Sequence, residues 1–348
     1  MIATDKLLMQ LSDLDALPGQ EAQVQQALQE TIQGPITKDS FGNLYFGDLE
    51  TKKKKIALYA HMDEVGFFVH HITEDGFVYF YPIGGWWGHV VLGQQVRATC
   101  RKNGAILEGI VGTLSKTSHK LTEVVPINQM YIDFGVHSKS ELEEAGMQIG
   151  DMILPNTKAR KSFNQKKIMG KALDDRVACT IMVQVKNQAE TKKIEVIGVG
   201  TVQEEAGTRG SKVAAAQVDA DINIVIDVAN GKDTPHAADF PNRIQGNDPG
   251  LVLADKTALG NIKLLDYCKE IAEKNQLPWQ YDLLGGGGTD AGSVQLFAGK
   301  PTLVFCVPVR YCHSWNSIVE ISDVEATIDL LSAVIRSLDE GGIELEQF

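Results

Sequence analysis

Two stretches of this chain, Ile194 to Val202 (IEVIGVGTV) and Ile222 to Val228 (INIVIDV), are apolar without the in-and-out alternation of a half-exposed strand. Such runs suit strands covered on both faces, the arrangement of a mostly parallel sheet packed between helices. Beyond Lys167 the pattern alternates accordingly. Helices are expected over 174–189, 209–217, 259–275, 291–298 and 322–338, and strands over 194–202, 222–228, 279–284 and 302–307. The N-terminal part adds helices at 4–14 and 20–33, split by Leu17-Pro18-Gly19, and strands at 43–46 and 56–60. The fold class that follows is α/β, with an α/β/α sandwich as its main layer structure.

Between Val65 and about Leu154 the texture changes. Short β-rich segments recur at 65–72, 77–82, 90–98, 106–114 and 130–135, with one helical stretch at 138–145. This is the signature of a small barrel or sandwich rather than of βαβ units. The expected organisation is one α/β domain built from 1–66 and 165–348, with a β-rich, barrel-like domain of 67–164 inserted into it. With 348 residues there is chain enough for both cores.

Charge and cysteine usage narrow the function classes. A formal net charge of −12 argues against nucleic-acid binding, and Lys52 to Lys55 is most simply a solvated turn. Five cysteines, odd in number and without a CxxC pair, make a disulfide framework or a cysteine zinc ribbon a poor reading. No apolar run is long enough to span a membrane, and the N-terminus lacks a signal-peptide core. A cytoplasmic protein is expected.

Ligand-type side chains gather at five places: Ala60-His61-Met62-Asp63-Glu64-Val65-Gly66, Gly170-Lys171-Ala172-Leu173-Asp174-Asp175-Arg176, Gln203-Glu204-Glu205-Ala206-Gly207, Asp227, and Arg310-Tyr311-Cys312-His313-Ser314. Four of them fall at or just beyond the carboxyl ends of expected core strands, the edge where open α/β sheets bind ligands. Each has a bland alternative. An isolated His-x-Asp is commonly a loop, Asp174-Asp175 could complement a helix dipole, and Glu204-Glu205 could be a surface pair. Asp227, inside an apolar strand, needs a partner more urgently. Together the acids would demand a cation, and imidazole with carboxylate suits Zn²⁺, Co²⁺ or Mn²⁺ better than Ca²⁺. Two histidines and three acids would serve two metal ions, with a further carboxylate free to act as general base.

The segments AHMDEVGF, GKALDDR, QEEAGTRG, GGGGTDAG and RYCHS, with Asp227 in its strand, occur in an order that resembles the tetrahedral (TET) aminopeptidases. That metallopeptidase family includes glutamyl, leucyl and lysyl aminopeptidases and members once labelled endoglucanases. The resemblance spans nearly the whole chain. It implies two divalent metal ions per subunit, zinc or cobalt, held by His61, Glu205, Asp227 and His313, with Asp174 bridging. It also implies Glu204 as general base and Asp63 as the residue orienting His61. Gly287, Gly288 and Thr289, in a glycine-rich turn that lacks the Gly-Lys-Ser/Thr of a phosphate loop, would border the substrate. Cys312, beside His313, is not expected to bind metal.

The implied activity is hydrolysis of the N-terminal peptide bond of short peptides. A deacylase or carboxypeptidase on the same scaffold is the nearest rival, followed by a glucanase and a non-catalytic shell subunit. A glucanase has no use for two histidines and a bridging aspartate, and a shell subunit would be expected to lack a ligand or the base. The implied partners are copies of the same chain, in a tetrahedral dodecamer built from dimers through the inserted domain. Neither nucleic acid nor membrane is expected as a partner. Trp86-Trp87 could anchor an interface or be buried in the insert, and His119, on a polar loop, could approach a neighbouring site.

Overall fold

The structure, a computed structural model, describes residues 2–113, 124–237, 242–247, 249–341 and 344–348. His119 lies outside the described residues. Among the described residues the strands form two sheets, a large one of eleven strands and a closed barrel of six. At the centre of the large sheet the strands Ile194–Thr201, Lys54–His61, Ile222–Asn230 and Thr302–Arg310 lie side by side and parallel. Their side chains divide cleanly between two cores. Ile56, Leu58 and Ala60 face one layer with Ile222, Ile224, Ile226 and Phe305, packed by the helices Thr4–Asp13, Leu173–Gln188, Ile262–Asn275 and Ile321–Glu340. Ala57 and Tyr59 face the other with Val225, Val304 and Cys306, under the helices Arg209–Val218 and Asp290–Ala298. Both faces are covered, which is why these strands carry no polar alternation.

The parallel core is extended by antiparallel strands that the sequence pattern does not announce. Gly250–Ala254 pairs with Thr302–Arg310, and Ser317–Glu320 joins Lys167–Gly170, which in turn pairs with Arg160–Lys161. All are five residues or fewer, too short for a period to register.

The barrel runs from Gly66–Ile72 through Phe77–Ile83, Met130–Asp133, Ile106–Thr113 and Gln95–Thr99 to Met152–Pro155, which closes onto the first strand. The expected strand over 90–98 is only half right. Gly88–Val91 is a single helical turn, and the strand starts at Gln95, because Gly93 takes a left-handed backbone (φ +80°) between them. The helix Lys139–Ala145 is bounded as its residues ask, with Ser138 accepting from the Glu141 N–H and Gly146 left-handed at its end. Trp86 stacks on Phe67 at 4.8 Å and packs against the barrel core, while Trp87 is 53% exposed.

Side chains crossing between the two sheets fix their relation. Arg97, on a barrel strand, pairs with buried Asp15 from the loop after the first helix. Trp315, from the large-sheet side, packs in the barrel core and donates its indole N–H to the Gln95 carbonyl at 2.6 Å. No helix among the described residues is long and apolar enough to cross a membrane.

Candidate active site

The carboxyl ends of the four parallel strands open into a cleft of about 610 Å³, lined by His61, Asp174, Glu204, Glu205, Asp227, Cys312, His313, Trp87 and the Gly285–Gly288 turn among others. His61 is the last residue of its strand and Asp227 lies near the end of the adjacent one. Glu204 and Glu205 follow the strand ending at Thr201, and His313 follows the one ending at Arg310. Parallel strands thus deliver residues distant in sequence to one edge, as open α/β sheets do at a topological switch.

Asp174 stands at the centre. Its Oδ1 lies 2.9 Å from His61 Nε2, and its Oδ2 lies 3.1 Å from His313 Nε2. His313 Nε2 is also 3.1 Å from Glu205 Oε1. Asp175, the next residue, turns away: its Oδ1 accepts the Ala178 N–H at 3.1 Å, in the manner of a helix cap. The two acids part because neither has helical backbone, with ψ at 104° for Asp174 and 47° for Asp175.

Asp63, fully buried, accepts the backbone N–H of Glu204 on one oxygen and that of Glu205 on the other, both at 3.0 Å. Its Oδ1 is 3.5 Å from His61 Nδ1, longer than a good hydrogen bond. The loop carrying Asp63 is clamped from below. Arg176 donates to the carbonyls of Met62 and Asp63 at 2.6 and 3.1 Å, and Arg176 and Lys171 both reach the Glu64 carboxylate. These buried cations come from the same GKALDDR segment as Asp174, so one stretch of chain supplies the central acid and the support of its neighbour.

Two contacts here were beyond the reach of sequence reading. His313 Nδ1 lies 2.7 Å from the carbonyl oxygen of Gly85, in the loop before Trp86, so the barrel orients a site histidine and leaves Nε2 facing Asp174. A backbone carbonyl carries no residue-type signal. Cys312 puts its sulfur 2.9 Å from Asp174 Oδ2, among the donor atoms rather than apart from them.

The turn after Leu284 splits into two parts. At Gly285, Gly286 and Gly287 an added Cβ meets nothing within 4 Å, so these glycines face open cleft. At Gly288 a Cβ would sit 2.6 Å from Thr257. Thr289 donates its hydroxyl to Asp255 at 2.8 Å and accepts the Ala291 N–H as the cap of the following helix, which commits it to the turn.

Electrostatics sharpen the picture. Loss of water pushes Asp227 and Glu204 well above the usual carboxylate range and raises Glu205, and neighbouring carboxylates add to the effect. Asp174 runs the other way: burial would raise it, but the hydrogen bonds of His313 and His61 hold it well below. Burial alone would lower both histidines. Their acidic neighbours instead hold His61 well above its ordinary value and push His313 up to about 12. Three carboxyls raised by lost water and by one another mark a site where a bound cation would favour the ionised forms. Donor atoms of His61, Asp174 and Asp227 all lie within 4.8 Å of one another, as do those of Asp174, Cys312 and His313. The two groups share Asp174, and their oxygen and nitrogen donors fit a divalent ion of the zinc or cobalt type.

Known proteins are similar in sequence and fold. A model of the M42 glutamyl aminopeptidase family matches residues 42–330. The FrvX protein of Escherichia coli K12 is 34% identical over 343 residues, covering 96% of this chain and 95% of that one. Among solved structures, the TET aminopeptidase of the marine sediment archaeon Thaumarchaeota archaeon SCGC AB-539-E09 superposes with a TM-score of 0.90 at 30% identity, covering 98% of this chain and 99% of that one. The TET1 peptidase of Pyrococcus horikoshii, which can assemble into a tetrahedron or a large octahedral shell, gives a TM-score of 0.85 at 27% identity, covering 96% and 99%.

Proposed function

This chain belongs to the M42 glutamyl aminopeptidase family, and on that premise we propose that it is a metal-dependent aminopeptidase acting on short peptides. The observation that carries the metal dependence is Asp174, whose two oxygens face His61 and His313 separately. Our reading assigns two divalent ions, zinc or cobalt, to His61, Asp174, Glu205, Asp227 and His313, with Asp174 shared. Bound there, such ions supply Lewis acidity that polarises the scissile carbonyl and acidifies water.

The chain's own residues do the rest. Glu204 takes the proton from the attacking water and later hands it to the leaving amine. Its carboxyl is half-buried and raised, which suits a group that must accept a proton and then give it up. Asp63 holds the Glu204 and Glu205 amides and stands behind the His61 ring. A free α-amino group met by a metal ion or by nearby acids makes the enzyme an exopeptidase. Gly287, with its neighbours Gly285 and Gly286, leaves room for the peptide to lie against backbone. Gly288 and Thr289 shape that floor from beneath.

We further propose that 67–164 act as an inserted domain governing self-association and substrate access, the remainder being the catalytic domain. Tyr81, Ile106 and Ile110, each more than half exposed on the barrel strands, give that domain an apolar exterior suited to contact with other copies, here assigned to a tetrahedral dodecamer. A cytoplasmic setting agrees with cysteines that are buried as thiols.

The test is direct. Chelation abolishes release of N-terminal residues from peptides, and added zinc or cobalt restores it. Full activity in protein shown by elemental analysis to be metal-free overturns the reading.

A further inference from the structure

One buried acid stands behind the loop that carries Glu204 and Glu205. Glu21 is 5% exposed and, among the described residues, pairs with no cation. Its Oε1 accepts the Gly19 N–H at 2.7 Å and the Gln203 N–H at 3.2 Å. The first bond ties the carboxylate to the Leu17-Pro18-Gly19 turn, and the second carries it across to the loop that ends in Glu204 and Glu205. Asp63 accepts the next two N–H groups, those of Glu204 and Glu205. Three successive amides, 203 to 205, are therefore held by two buried carboxylates from different parts of the chain.

The backbone explains why the first of the three needs holding. Gln203 adopts a left-handed conformation, φ +57°, which a non-glycine residue rarely takes without outside support. Its carbonyl accepts the Arg209 N–H at 3.2 Å, and Glu21 secures its N–H. The peptide plane entering Gln203 is thus fixed from Glu21, and the two planes flanking Glu204 from Asp63.

We propose that Glu21 is a positioning residue for proton transfer: through the Gln203 amide it fixes the backbone that aims Glu204 at the reacting water. The inference rests on the reading of Glu204 as general base. Burial without a cation pushes the Glu21 carboxyl up to about 7, against the backbone hydrogen bonds that favour its charge, so the fold retains this acid at a cost. A group that aims another acts on turnover far more than on substrate binding, because only the reacting geometry is disturbed.

The experiment compares Glu21→Ala, Glu21→Gln and Glu204→Gln in metal-loaded enzyme, measuring kcat, KM, metal content and hydrogen exchange of the 203–205 amides. Glu21→Ala is expected to lower kcat about 10- to 100-fold with KM within about twofold and metal content unchanged. Exchange at 203–205 rises in the same variant. Glu21→Gln, whose amide oxygen still accepts both N–H groups, recovers kcat to within about threefold of native and restores slow exchange. If Glu21→Ala does not fold, Glu21→Asp replaces it: one methylene shorter, it cannot span Gly19 and Gln203, and the same loss is expected. Native kcat in the Ala or Asp variant, or an equal loss in Gln and Ala, overturns the proposal. Near-native kcat in Glu204→Gln removes the base reading itself. An inactive Glu204→Gln beside a fully active Glu21→Ala removes only the positioning role.

Discussion

Asp174 and Asp175 are adjacent, chemically identical and differently employed. Read as letters the pair could not be divided on chemical grounds, since either could open the helix; the division comes from the non-helical backbone at both residues. Asp175→Asn should therefore keep its metal, because an amide oxygen can still accept the Ala178 N–H. Asp174→Asn should lose metal affinity by at least about 10-fold, measured by titration of the stripped protein. Glu21 gives a prediction of another kind. Its carboxyl rises from an ordinary 4.5 to about 7 on folding, so the folded chain binds the extra proton between those values. Stability from this group is present below the unfolded value and is lost as pH climbs through about 7. In metal-free protein Glu21→Gln should flatten that fall, gaining up to about 3 kcal/mol relative to wild type at pH 8 and little at pH 4, by denaturant titration. The ligand-type residues were legible only as a set, since each alone has a bland alternative and their gathering after apolar strands is what points to a cation. Gly85 and the sulfur of Cys312 were not, because a carbonyl leaves no trace in sequence and a side chain's direction is a property of the fold.

Among the elements, those with a long period were the readable ones. The four parallel core strands and the main helices follow from uninterrupted apolar runs and 3.6-residue spacing, and caps such as Asn261 and Thr289 mark their starts. Short edge strands such as Gly250–Ala254 and Ser317–Glu320 exist because a neighbour offers free hydrogen-bonding groups, which no local pattern records. Gly93 shows the opposite case, where one left-handed residue cuts an apolar run that otherwise reads as a strand. The glycine turn 285–288 converts this kind of reasoning into an experiment. Gly288→Ala drives a methyl towards Thr257 and should lower stability by about 1–3 kcal/mol in thermal melts. Gly286→Ala meets empty space in the chain itself and should leave the melt unchanged, yet raise KM for peptides by intruding on the cleft. Unchanged KM would detach the turn from substrate binding.

At the scale of the whole molecule, the acidic balance of −12 is partly explained by the site, where Asp63, Asp174, Glu204, Glu205 and Asp227 stand together. Two divalent ions would offset four of those charges. The barrel is no passive appendage: through Gly85 it orients His313, and through Arg97 and Trp315 it is locked to the sandwich. Removing the buried Arg97 guanidinium leaves Asp15 with one cation fewer and should cost about 3–5 kcal/mol, read by denaturant unfolding of Arg97→Ala. Self-association is checked by solution scattering at micromolar concentration, where a particle many times the mass of one chain is expected and a monomer contradicts the proposed assembly. The central claim is that one set of residues holds metal while a separate carboxylate moves the proton. Metal content and turnover measured on a single preparation of Glu204→Gln test it most directly. The account predicts two ions per chain, as in wild type, with kcat reduced at least about 100-fold. Near-native turnover, or loss of the metal together with the activity, contradicts it.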